Sequence, residues 1–421
     1  MDFMQLPEGP ITLRDVTVPG CLLGRAEDLS RTDLSIAGGR IVAEGGTPVE
    51  MGGAMVLPCF VDMHTHLDKG HIWNRAPNPD GTFPSALAAV AADRETNWSA
   101  GDVRARMDFA LRCAHAHGTR AIRTHLDSLP PQDAITWPVF REMRAEWADR
   151  IALQGVCLVP VDRADPEGPF ARTADIVADA EGVLGMVTYP VPEFRARLEG
   201  FLAMARDRGL AVDFHVDENG DPGPGTLRTI AETVLETGFD APVTVGHCCS
   251  LAVQDEAFAL ETLDLVAKAG IHVVSLPMCN LYLQDRQAGR TPRWRGVTLL
   301  HEMRARGIGV SVASDNTRDP FYAYGDLDML EVLREATRIG QLDHAGPGWV
   351  ESVLGHPARA MGIAPPALTP GAPADLVIFR ARDWIELFSR PQADRVVLRD
   401  GRAIDRRLPD YSELDHLTRT A

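Results

Sequence analysis

Apolar residues cluster along this chain in eight short runs separated by longer mixed stretches. The runs are VLPCFVDMHTH (56–66), TRAIRTHLD (119–127), ALQGVCLVP (152–160), VLGMVTYP (183–190), LAVDFHVDE (210–218), PVTVGHC (242–248), IHVVSLPM (271–278) and IGVSVASD (308–315). Their length and β-branched content predict strands. The stretches between them carry apolar residues at helical spacing, as in SAGDVRARMDFALRCAHAHG (99–118), PEFRARLEGFLAMARDRG (192–209) and LRTIAETVLETG (227–238). Each of these ends on Gly, the residue that most easily takes the left-handed turn at a helix C-terminus. Eight strands with helical crossovers predict an α/β chain folded as a (β/α)8 TIM barrel.

The ends are patterned differently. ITLRDVTVPG (11–20) and TDLSIAGGRIVAEGG (32–46) near the start, and GAPADLVIFRA (371–381) and RVVLRDGRAI (395–404) near the end, read as short strands joined by turns. They predict a small β-sandwich built from residues 1–56 plus 364–421, with the barrel, residues 57–363, inserted within it.

Composition narrows the classes. The 421 residues are 45% hydrophobic, enough for one large core and a smaller one. The net charge of −17 argues against nucleic acid, which needs a basic footprint. Seven scattered cysteines with no CxxC pair suggest a reducing, cytoplasmic setting with mostly buried thiols. The start, MDFMQLPEGP, is unlike a signal peptide, and no apolar run is long enough to span a membrane.

The chemistry sits at the strand ends. His64 and His66 close the first run, His215 the fifth, His247 the sixth and Asp315 the eighth. Histidines at i and i+2 on a strand share a face. In a barrel all C-terminal strand ends meet on one mouth, where sites are built. A lone strand-end histidine is commonly structural. Four histidines and a carboxylate, each in register with a barrel strand, predict a metal site. These donors suit Zn2+ or Fe2+. Such an ion lowers the pKa of bound water. Glu218, three residues past His215, is placed to shuttle protons, and Asp315 to take the proton of the water.

This pattern resembles the amidohydrolase superfamily, with His-x-His after the first strand, His after the fifth and sixth, and Asp after the eighth. That superfamily often carries a second metal on a modified lysine of the fourth strand. GMVTYP has no lysine, so the resemblance implies one divalent ion. Within the superfamily the chain is most similar to the cytosine deaminase branch, which also holds enzymes of aminotriazines. The carriers are HTHLDKG, RTHLDS, DFHVDENG, VTVGHCCSLA, LYLQDR, PRWRGVT and SDNTRDPFYAYGDLDMLEVL. The resemblance implies His64, His66, His215 and Asp315 as ligands and His247 as the group polarising the water or the developing oxyanion. It also implies Glu218 as the acid that protonates a ring nitrogen and assists ammonia departure.

Two departures bear on the substrate. Val161 stands where cytosine deaminases place a side-chain amide that reads the pyrimidine, and Asn316 replaces their second Asp. Asp162 or Arg163, and Gln284, are candidates to face a different ring. Lys69 either contacts substrate or pairs with Asp68, and His125 either lines the pocket or packs beneath it. Trp73 and Phe321 are candidate lids or core residues. His115 and His117 lie on an outer helix, and Cys248 and Cys249 read as packing residues. The expected function is hydrolytic deamination of a small N-heterocycle (cytosine-like, pterin, isocytosine or aminotriazine) with release of ammonia. The competing expectations are a cyclic amidohydrolase that opens a ring, and a non-catalytic scaffold. Large acidic barrel enzymes of this kind commonly form homo-oligomers.

Overall fold

The computed structural model describes residues 4–419. The chain forms two compact units. One comprises residues up to Val61 with Arg112–Ala121 and Asp328–Pro409, the other Asp62–Leu111, Ile122–Leu327 and the chain from Asp410. Helix Met329–Gly340 groups with the terminal strands in the first unit.

The first unit begins with β1 (Ile11–Pro19), β2 (Leu29–Ala37), β3 (Arg40–Val42), β4 (Thr47–Glu50) and β5 (Met55–Pro58). β1 pairs in parallel with β4 along residues 11–14 and with β5 at Thr17. The strand changes partner where its register to β2 shifts between Leu13 and Val16, at Asp15, whose φ is +59°. That is a β-bulge, which bends a strand and sharpens its twist.

The eight apolar runs all form strands: β6 (Phe60–Thr65), β7 (Thr119–Asp127), β8 (Ala152–Leu158), β9 (Leu184–Thr188), β10 (Val212–Val216), β11 (Val243–His247), β12 (His272–Ser275) and β13 (Val310–Val312). The first run divides at Cys59. Its front half is β5, which pairs antiparallel with a C-terminal strand, and only its back half enters the second unit. β9 to β13 form a five-stranded parallel sheet, and β6, β7 and β8 a three-stranded one. Parallel bridges Val156↔Val183 and Pro160↔Val187 join the sheets at β8 and β9, and Thr65↔Asp315 joins them at the other edge. Burial is continuous along β6, β10, β11 and β13, as for strands covered on both faces. Helices α1 (Phe83–Asn97) and α2 (Ala100–His117) follow β6.

Three further strands, β14 (Leu376–Phe379), β15 (Val396–Arg399) and β16 (Arg402–Ala403), complete the first unit's sheet. Its order is β16-β15-β14-β5-β1-β2-β3, with β4 on β1. Within this unit Asp328 caps helix Met329–Gly340 and takes two bonds from Arg395, at 2.7 and 2.6 Å. His117 is buried, with Nδ1 3.5 Å from Asp328. Six of the seven cysteines are buried and none forms a disulfide. Among the described residues no helix is long and apolar enough to cross a membrane.

Candidate active site

The ends of β6, β10, β11 and the segment after β13 bring the candidate ligands together in the second unit. Nε2 of His215 lies 3.2 Å from Nε2 of His64 and 3.3 Å from Nε2 of His66. Oδ1 of Asp315 lies 3.2 Å from Nε2 of His66 and 3.6 Å from Nε2 of His64. All four side chains are buried, and neither carboxylate oxygen of Asp315 has a hydrogen-bond partner. Burial, then the neighbouring imidazoles and Lys69, push the histidine pKa values well below 6.5, so the rings stay neutral with lone pairs to offer. Burial raises the Asp315 carboxyl to about 8.

The backbone is arranged for this convergence. The backbone N of Asp315 donates to the His64 carbonyl at 2.8 Å. Asp62, buried two residues before His64, accepts from the backbone N and hydroxyl of Ser314. Asp315 (φ +62°) and His247 (φ +69°) both adopt left-handed conformations, uncommon for residues with a Cβ and concentrated at functional sites. Gly246 leaves room for the His64 ring, whose Cε1 would lie 2.9 Å from an added Cβ.

His125 joins this cluster, with a ring nitrogen within 4.8 Å of those of His64, His66 and His215. Its ring is 4.0 Å from that of His64, and its Nε2 lies 3.2 Å from Asp213, which also takes a 2.8 Å bond from Arg123. His247 stands beside the cluster. Nδ2 of Asn280 lies 3.0 Å from its Nδ1 and donates at 3.2 Å to Oε1 of Glu218. Accepting that bond at Nδ1 leaves the proton on Nε2, a buried atom with no partner. Burial, followed by the charge of Asp315, pushes the Glu218 pKa well above its usual value.

Glu218, His66, His215, His247, Asp315 and Asn316 line one cavity of about 470 Å3, within the range of small-molecule sites. One face of α1, carrying Phe83, Leu87, Val90, Ala91 and Arg94, supplies an apolar wall. Phe321 completes it, meeting Phe83 edge to face at 5.5 Å. Lys69 and Phe321 reach the cavity, and Lys69 pairs with Asp127 at 3.0 Å instead of Asp68. Asp68 is occupied by the backbone N of Asp127, 2.7 Å away.

Three candidates do not line this cavity. Val161 is fully buried outside the cavity lining, which takes Leu158, Val159 and Pro160 from that segment; the short 3-10 turn at 161–163 aims its side chain into the core. Asp162 is exposed and accepts from the Tyr189 hydroxyl at 2.6 Å. Gln284 supports the site from behind, donating to the Glu218 carbonyl at 3.1 Å. Trp73 does not line the cavity either. Asn316 reaches it while donating to Asp319 at 2.7 Å, and Asp319 also accepts from the backbone N of Phe321 at 2.8 Å. The DPFY stretch is therefore a loop brace. Residues not singled out from the sequence are Asp127, Arg94, Asn280 and the α1 wall. Asp127 ends β7, so the strand-end rule applied to the second run finds it. The wall shows as Phe83, Leu87, Val90 and Arg94 at helical spacing.

Comparison with known proteins agrees with this geometry. The model of the Amidohydrolase family matches residues 159–404. The chain is 55% identical over 413 residues to a pterin deaminase of Rhizobium rhizogenes, covering 96% of this chain and 94% of that protein. It is 25% identical over 398 residues to an N-isopropylammelide isopropyl amidohydrolase of Pseudomonas sp., covering 88% and 93%. Among solved structures, a 5-methylcytosine deaminase from Klebsiella pneumoniae liganded with 5-fluorocytosine superposes with a TM-score of 0.78 at 23% identity, covering 95% and 98%. That similarity extends over a TIM-barrel-like α/β fold. With the family match covering more than half its length and a relative at 55% identity along nearly all of it, the chain belongs to the amidohydrolase family.

Proposed function

We propose that this protein is a metal-dependent hydrolytic deaminase of a 2-amino-4-oxopteridine, a pterin, which it converts to the dioxo compound with release of ammonia. The observation that carries the reading is the pairing of Glu218 with His247 through Asn280 at the edge of the His64/His66/His215/Asp315 cluster, facing a flat-walled apolar cavity. The pterin deaminase at 55% identity supports the ring class. We also read the two parallel sheets as one closed (β/α)8 barrel, supported by the bridges at both seams, and the forked terminal sheet as a small sandwich. Seven cysteines without a disulfide support a reducing, cytoplasmic setting.

The donors fit a divalent ion. Three neutral imidazole nitrogens and an unpartnered carboxylate crowd one buried point, and a cation satisfies all of them at once. His64, His66, His215 and Asp315 would hold it, and their chemistry suits Zn2+ or Fe2+. Bound there, it would lower the pKa of water enough to supply hydroxide near neutral pH.

The remaining steps belong to the protein. Phe83, Phe321, Leu129 and Val159 sandwich the ring and exclude bulk water. Glu218, kept protonated by burial, donates to a ring nitrogen beside the amino-bearing carbon. Attack on that carbon then places no negative charge on nitrogen. Asp315, which a bound cation would hold ionised despite its burial, accepts the proton of the attacking water, and the Nε2 proton of His247 meets the developing oxyanion. A proton passed to the amino group releases it as ammonia. A positioned acid or base of this kind contributes roughly 10²–10⁴-fold.

The test is an ammonia-release screen across pterin, isocytosine, cytosine, aminotriazines and creatinine, with product mass. Exchange of NH for O supports deamination, whereas a gain of water identifies ring opening. Glu218→Gln should lose about 10²-fold or more in kcat while keeping its metal. Full activity in that variant refutes the proton-transfer assignment.

A further inference from the structure

The proposed chemistry leaves two cavity-lining cations unused. Lys69, from the loop after β6, has a side chain 6% exposed, and Arg94 of α1 has one 20% exposed. Both bind Asp127 at the end of β7, Lys69 to Oδ1 at 3.0 Å and Arg94 to Oδ2 at 2.8 Å. All three line the cavity that holds Glu218 and the histidines. An ammonium has three N–H donors. Among the described residues Asp127 is the only acceptor bound to that of Lys69. A buried charge with unfilled donors is costly unless something else fills them. Each carboxylate oxygen of Asp127 takes one cation, and a carboxylate oxygen has a second lone pair that can accept.

The wall thus offers an N–H donor beside a carboxylate acceptor. That is the complement of a cyclic lactam edge, in which a carbonyl oxygen stands next to a ring N–H. We propose that Lys69 and Asp127 form a lactam-reading subsite, Lys69 donating to the exocyclic oxygen of the substrate and Asp127 accepting from the adjacent ring N–H, with Arg94 holding Asp127 in place. This deepens the deaminase reading and rests on it. The subsite selects amino-heterocycles with an oxo group next to the reacting amidine. It rejects rings carrying a second amino group there, which turn a donor toward the ammonium. Arg106 steadies the loop from behind, donating to the carbonyls of Asp68 and Gly70.

Two pteridines separate this role from a structural one. They are 2-amino-4-oxopteridine, with the lactam, and 2,4-diaminopteridine, without it. Their dissociation constants are read from ligand fluorescence in the Glu218→Gln protein, whose slowed turnover leaves time to read binding, and in Glu218→Gln/Lys69→Met. We expect Lys69→Met to weaken the oxo compound about 10- to 100-fold, the range for a hydrogen bond to a charged group, and to change the diamino compound less than about 3-fold. Lys69→Arg, which retains the charge, should recover part of the loss. Metal content and thermal melting of each variant confirm an intact site. Equal weakening of both ligands, or none of either, overturns the subsite but leaves deamination standing. Absence of ammonia release from the oxo compound with the unmodified protein overturns both.

Discussion

Gly246→Ala tests the convergence of the site without touching a ligand or a titratable group. Gly246 precedes His247 on β11, and its Cα faces the His64 ring. An added Cβ would lie 2.9 Å from Cε1 and 3.2 Å from Nδ1 of that ring, about 0.5 Å inside ordinary van der Waals contact at 3.4 Å. The ring has little freedom to retreat. His125 stands 4.0 Å behind it and His215 4.5 Å to the side, both fully or nearly buried. Relief therefore displaces Nε2 of His64 from the point it shares with His66, His215 and Asp315. Overpacking of this kind costs about 1–3 kcal/mol of stability. A misplacement of about 1 Å at a reacting centre costs roughly 10²-fold, so half of that scales to about tenfold in turnover. We expect Gly246→Ala to lose metal during dialysis against a chelator faster than the unmodified protein and to deaminate about tenfold more slowly, with its urea-unfolding midpoint lowered. Metal retention and turnover equal to the unmodified protein would refute the packing argument, since the ring would then have room the structure denies it.

Asp315→Asn should abolish turnover and lower bound metal severalfold by elemental analysis, because the amide supplies no charge to the cluster. Chelation of the unmodified protein should lower its melting temperature and be reversed by added Zn2+ or Fe2+, since an ion bound only by the folded state stabilises it. Asp328→Asn should cost about 3–5 kcal/mol in urea unfolding, because it leaves Arg395 buried beside a neutral group. Burial alone would raise the Asp328 carboxyl, but Arg395 and His117 outweigh it and hold it below 3.8. A depressed carboxylate stabilises the fold above its unfolded pKa and loses that contribution as pH falls through the folded one. The gap between the unmodified protein and Asp328→Asn should accordingly stay constant from pH 6 to 8 and shrink below about pH 4. A gap unchanged at pH 3 contradicts the assignment.

The sequence alone carried the strands, their order and the residue types at their ends. Buried strands must be apolar, and metal donors must be His or carboxylate, so both leave marks in composition and spacing. All eight runs are strands, and His66, His215, His247, Glu218 and Asp315 line one cavity, with His64 buried against them. The break at Cys59 left no such mark, because β5 and β6 are equally apolar while belonging to different sheets. Val161, Asp162 and Gln284 are candidates by their position along the chain, and position does not say which way a side chain points once a 3-10 turn or a helix intervenes. Likewise Lys69 follows Asp68 in sequence, yet its partner is Asp127, 58 residues on, at the end of the neighbouring strand. Pairing is a matter of distance in space, and distant segments meet only through strand order and register. What the linear pattern determined was an inventory of chemistry at strand ends; which of those groups face one another, and which face away, was decided by the packing of the sheets and of α1 against them.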